Sequence, residues 1–111
     1  LVLGLAYKKD TNSTINSASI SFLNKTSKFR NCKFFAYDPV VKSTRIKSIS
    51  VLKNINDFNF NKNKNVLIVM TPWNQFNDIK KNYLSKFDFI LDPYNFFLKK
   101  RNFKNKYISL Y

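Results

Sequence analysis

The chain has 111 residues, of which 44% are hydrophobic and 17% aromatic, enough for one domain whose core needs no covalent staple. Its formal net charge is +14, which attracts anions of every kind, yet the lysines are spread along the whole length, and Lys, Asn, Ile, Phe and Tyr all have AT-rich codons, so composition accounts for most of the excess. Histidine is absent and cysteine occurs once, which excludes a Ser-His-carboxylate triad and an internal disulfide and argues against a zinc site.

Leu1-Val2-Leu3 reads as the end of a buried strand whose start is missing. The polar loop from Gly4 to Thr14 follows, and Ser17 is a good N-cap for a helix over about 18–26, where Ile20 and Leu23 recur at helical spacing. Residues 33–37 form a second strand, ended by Asp38-Pro39, because proline cannot continue the ladder. The basic, serine-rich stretch 42–50 reads as a loop or a poor helix, and 49–52 as a short strand. The asparagine-rich segment 54–65 contains Phe58 and Phe60 and reads as an irregular connection with a mobile turn at 61–64. Val66 to Met70 is apolar at every position, as a central parallel strand covered on both faces should be. Thr71-Pro72-Trp73 breaks it, and Phe76, Ile79 and Leu84 predict a helix over about 74–84. Residues 87–91 form another strand, stopped at Asp92-Pro93, and 107–110 the last one.

Strand and helix in alternation predict an α/β domain with a mainly parallel sheet, spanning 1–111 as a single unit. The turns after Leu3, at Asp38-Pro39, at Thr71-Pro72-Trp73 and at Asp92-Pro93 then fall on one edge, beyond the carboxyl ends of the strands, where such sheets bind ligands. No apolar run reaches the length of a membrane span, and the first residues lack a signal-peptide layout. With the single cysteine, this predicts a cytoplasmic protein with no membrane partner.

Those four turns carry a resemblance. GLAYKKDTNSTINS at 4–17 resembles the G-L-A-F-K-x-D-T-x-D-x-R-x-S segment that opens the C-terminal domain of the UDP-glucose and GDP-mannose dehydrogenases. AYDP at 36–39 is similar to the family's Y-D-P. VLIVMTPWNQF at 66–76 is similar to its strand followed by T-x-W-x-x-F, and LDPYN at 91–95 to its D-x-R-N turn. The matches come in order over nearly the whole chain. They imply a Rossmann-like, three-layer C-terminal domain that binds the nucleotide half of a UDP-sugar, UDP-glucose above all. In such enzymes the sugar's C6 alcohol is oxidised to a carboxylate in two NAD-dependent steps. The resemblance also implies that NAD is bound mainly by a missing N-terminal domain, that a missing central helix makes a homodimer, and that the catalytic residues precede this segment. No catalytic or metal-binding residue is therefore expected in this chain, and the isolated segment is expected to be inactive.

Residue by residue, the family's substrate-contacting aromatic–lysine pair maps onto Tyr7 and Lys8. A lysine ammonium is a compact charge suited to a diphosphate. Gly4 is expected to allow a sharp turn where a side chain would crowd the backbone. The pattern departs at five places, one of them harmless: Ala18 replaces the proline after the serine. Ser13 replaces an aspartate. Ile15 replaces the arginine that contacts NAD, so no cofactor contact carries over. Tyr94 replaces a substrate-contacting arginine, keeping one donor and losing the bidentate grip. Ser109 replaces a glycine. Bland readings serve elsewhere: Cys32 as a buried structural thiol, Trp73 as packing at the site's edge, Asp38 and Asp92 as turn formers, and Phe96, Phe97 and Phe103 as core or a lost interface. Two other functions compete. A basic module for single-stranded nucleic acid would show binding spread over many lysines, although no RNP-like aromatic motif supports it. A structural remnant would bind nothing.

Overall fold

The computed structural model describes residues 1–100 and 106–110. Its strands are β1 (Val2–Leu3), β2 (Phe34–Tyr37), β3 (Ile49–Val51), β4 (Val66–Val69), β5 (Phe89–Leu91) and β6 (Lys106–Ile108). All pairings are parallel, in the order β3-β2-β1-β4-β5-β6. Apolar β-branched and aromatic side chains fill most of these positions and suit a pleated, half-buried surface. From β1 the chain steps one way to β2 and β3, then crosses back and steps the other way through β4, β5 and β6. Right-handed crossovers place those two sets of connections on opposite faces, which gives the three layers of a doubly wound α/β fold.

The longest helix among the described residues, α1 (Ala18–Thr26), connects β1 to β2 and has the predicted limits. Ser17 sits ahead of it in extended backbone, and its Oγ accepts from the Ile20 N–H at 3.3 Å. The same hydroxyl donates to the Leu5 carbonyl at 2.7 Å, so the cap also pins the helix to the end of β1. Leu23 and Ser19 face inward and are buried.

The predicted helix over 74–84 is two pieces. Asn74–Asp78 is a 3-10 turn and Lys81–Leu84 is a short helix, α2. Ile79 and Lys80 between them are extended, at ψ 120° and 149°. Asparagine and aspartate are poor helix formers, and the break lets Phe76, Ile79 and Leu84 all reach the core. No helix among the described residues is long and apolar enough to cross a membrane.

The crossover from β3 to β4 is organised by its phenylalanines. Phe58 packs edge-on to Phe35 at 5.4 Å and stacks on Phe87 at 5.5 Å, while Phe60 meets Phe87 at 4.8 Å and Tyr83 at 5.6 Å. The Tyr83 hydroxyl donates to the Ile55 carbonyl, and burial pushes its pKa up. The turn at 61–64 is tied by the buried Asn65. Its Oδ1 accepts from Asn61 N–H, and its Nδ2 donates to the carbonyls of Asn61 and Asn63. In β4, Leu67 and Val69 are buried while Val66 and Ile68 are half-buried, so its two faces are covered unequally.

Cys32 corrects its reading as a buried thiol: it is exposed, in the turn ahead of β2, where the chain has not yet entered the sheet. Phe97 is buried and Phe96 packs against the core, as expected; Phe103 lies outside the described residues. The last strand begins one residue earlier than predicted and ends at Ile108.

Candidate functional site

Because every strand is parallel, the turns after β1, β2, β4 and β5 share one edge. The strand order reverses between β1 and β4, and a sheet of this kind opens its ligand crevice there. Gly4 leaves β1 at φ 94°, a conformation that L side chains rarely adopt. A Cβ on it would lie 2.4 Å from the Thr71 Cβ and 2.7 Å from the Thr71 nitrogen. The glycine thus lets the turn after β4 close against the turn after β1, and Thr71 Oγ1 completes the contact by donating to the Ala6 carbonyl at 2.8 Å.

Asp38 is the hub of this edge. Its side chain is fully buried at the end of β2 and accepts five N–H bonds. Oδ2 takes Leu5 N at 2.7 Å, Ala6 N at 3.0 Å and the Trp73 indole Nε1 at 3.1 Å. Oδ1 takes Val40 N at 2.8 Å and Val41 N at 2.9 Å. One carboxylate therefore joins the turns that follow β1, β2 and β4. The reading of Asp38 as a turn former is incomplete: it does form its own turn, and it also holds two others. Trp73 is buried, as expected of a packing residue, and its N–H is spent on this hub.

Asp92 is buried at the end of β5. It accepts from Tyr94 N at 3.2 Å, from Phe97 N at 2.8 Å and from the Tyr107 hydroxyl of β6. No group of three His, Cys, Asp or Glu side chains among the described residues could hold a metal ion.

The predicted contact residues stand on this frame. Tyr7 N donates to the Ser13 carbonyl at 2.7 Å and closes residues 8–12 into a tongue, with Asp10 in left-handed backbone at its turn. Tyr7 is 57% exposed and Lys8 is exposed beside it. The tongue, Val40 and Trp73 border a cavity of about 510 Å3. Tyr94, 51% exposed, stands after β5, two strands from β1 and so about 10 Å across the edge. Its hydroxyl donates to the Met70 carbonyl at 2.9 Å, which lays the side chain over the end of β4. Ile15 is 76% exposed and has no polar atom beyond its backbone.

Sequence reasoning missed the reach of Asp38. The available signal was an aspartate set between an apolar strand and Pro39-Val40-Val41, a setting too apolar for a solvated carboxylate to occupy.

A model of the UDP-glucose/GDP-mannose dehydrogenase family, UDP binding domain, matches residues 1–99. A search of curated proteins finds no match. The matched span takes in the Gly4 turn, the Asp38 hub, the Thr71-Trp73 turn and the Asp92 turn. The chain belongs to the UDP-glucose/GDP-mannose dehydrogenase family, and it is the family's UDP-binding domain.

Proposed function

We propose that this domain holds the nucleotide half of a UDP-sugar, with UDP-glucose the favoured substrate, within an NAD-dependent nucleotide-sugar 6-dehydrogenase that oxidises the sugar's C6 alcohol to a carboxylate. The observation that carries the reading is the placement of Tyr7 and Lys8. Both are exposed on a tongue whose base is fixed by Asp38 and Ser13, beside the point where the strand order reverses. A fixed base spares the backbone ordering cost when the lysine meets a diphosphate, and the phenol beside it offers a flat face to the rest of the nucleotide. Tyr94 borders the same edge with its hydroxyl already engaged by Met70, so it offers its ring and an acceptor oxygen in place of a cationic fork.

Catalytic groups belong, in this proposal, to a preceding NAD-binding domain, and a central helix brings two copies together. Tyr7, Val40 and Tyr94, all large and exposed, lie on loops of the same edge, where a second domain would cover them. NAD itself does not fit the one position where the family resemblance seeks a contact in this chain. Ile15 carries neither charge nor side-chain donor, so no step at the cofactor is assigned to these residues.

The test is an NMR titration of the labelled chain with UDP, GDP and a short single-stranded oligonucleotide at two salt concentrations. UDP should shift Tyr7, Lys8 and the residues around Ser17 at lower concentration than GDP, and Lys8→Ala should weaken UDP binding by about tenfold. Shifts from the oligonucleotide alone, lost at high salt, would replace this reading with a basic nucleic-acid module. The pure chain should reduce no NAD in the presence of UDP-glucose.

A further inference from the structure

A cleft of about 690 Å3 opens between α1 and the segment joining β2 to β3. One wall is the helix, through Ile20 and Asn24, and the other is residues 43–46, with Thr14 and Ile15 completing the lining. The second wall is anchored at both ends. Upstream, Asp38 Oδ1 holds the N–H groups of Val40 and Val41. Downstream, Ser48 Oγ donates to Ser27 Oγ at 2.8 Å, which ties the segment to the end of α1. Between the anchors, Thr44 Oγ1 accepts from Ile46 N–H and turns the chain.

The chemistry of the lining is one-sided. Among the described residues, Arg45 supplies its only charged side chain and no carboxylate lines the cleft. The Arg45 guanidinium, the Asn24 amide and the hydroxyls of Thr14 and Ser43 take no partner among the described residues. A planar guanidinium fork with neutral donors around it matches phosphate oxygens, and arginine binds them bidentately where lysine acts as a point charge. The residue type is itself informative. The chain has three arginines against seventeen lysines, so a guanidinium is not what its composition supplies by default at a basic position. Ile15, Ile20 and Ile46 give the same cleft an apolar side, and covering the exposed Ile15 would be favourable.

We propose that Arg45 anchors a second subsite for an organic phosphate, a nucleoside diphosphate by size and charge, with Thr14, Ser43 and Asn24 as neutral donors and Ile15 as its apolar rim. The subsite shares no side chain with the Tyr7–Lys8 reading, so either can fail while the other stands.

The test titrates the labelled full chain, wild type and Arg45→Gln, with pyrophosphate, UDP and ADP. Pyrophosphate should shift the amides of residues 14–15 and 43–46 together with the Arg45 side-chain N–H. Arg45→Gln should weaken that response by about tenfold or more, and Arg45→Lys should fall between the two. The nucleotide that moves these amides at the lower concentration identifies whether the phosphate arrives with a pyrimidine or a purine. Arg45 is exposed and unpaired among the described residues, so both variants should keep the wild-type spectrum elsewhere. The proposal is overturned by shifts spread over the lysine-bearing loops that survive Arg45→Gln, or by no shift at 43–46 with any of the three probes. Shifts at Tyr7 and Lys8 in the UDP arm report separately on the first site.

Discussion

Asp38 and Asp92 stand in the same local setting: each follows an apolar strand, precedes a proline and is fully buried. Their surroundings make them different parts. Asp38 lies next to the centre of the sheet, where the turns of β1 and β4 come within reach. It gathers four backbone N–H groups and an indole from three connections. Asp92 lies toward the edge, where the described neighbours are its own turn and β6. It takes two backbone N–H groups and the hydroxyl of Tyr107. The comparison teaches that a buried carboxylate is worth what converges on it. A D-P turn at the centre of a parallel sheet serves as an architectural hub for the edge where the turns after β1, β2 and β4 meet, and the same turn near the end of the sheet mainly fastens one strand.

The sharpest way to break this comparison is Asp38→Ala. It leaves five donors without their acceptor in a buried place. We expect a loss of about 3–5 kcal/mol, since removing one partner of a buried charged network strands the others. That is a large part of the total stability of a domain this size. A urea denaturation midpoint that barely moves would remove Asp38 from its central place.

Asp92→Ala should cost less, about 2–3 kcal/mol, because fewer donors are stranded. Its effect should also be local. Amide hydrogen exchange should speed up in residues 92–97 and β6 while β1 and β2 stay protected. Loss of protection across the whole sheet would mean that the two aspartates are equivalent after all.

Smallest is Trp73→Phe, which keeps most of the ring and removes one of the five donors to Asp38. About 1–2 kcal/mol is expected from the lost charge-assisted bond and the small void together. Equal destabilisation by Trp73→Phe and Asp38→Ala would show that the indole, and not the backbone donors, carries the hub.

Much of the fold is legible in the residues themselves. Ser17 announces α1 because a hydroxyl followed by apolar residues at helical spacing has one favourable use. Val66 to Val69 announces a central strand because a run apolar at every position suits a strand with layers on both faces. Gly4 announces a tight turn because it is the chain's one glycine, placed directly after a strand. The helix over 74–84 fails because Phe76, Ile79 and Leu84 keep helical spacing, yet the chain buries them through two short turns separated by extended residues. Spacing reports which residues go inside. It does not report the backbone path that takes them there.

What the sequence by itself determined is therefore the fold class, the order of the strands along the chain and the shared edge on which the turns after β1, β2, β4 and β5 lie, because these follow from periodicity, capping and proline, all of which act locally. Tertiary structure alone decided which residues meet. Asp38 reaches Leu5, Ala6 and Trp73, Tyr94 lies over Met70, and Arg45 shares a cleft with Ile15. Those partners are separated along the chain and come together only when the parallel crossovers stack β1, β2, β4 and β5 side by side. Hydrogen bonds act over about 3 Å, and no local pattern encodes a contact that short between residues so far apart in the chain.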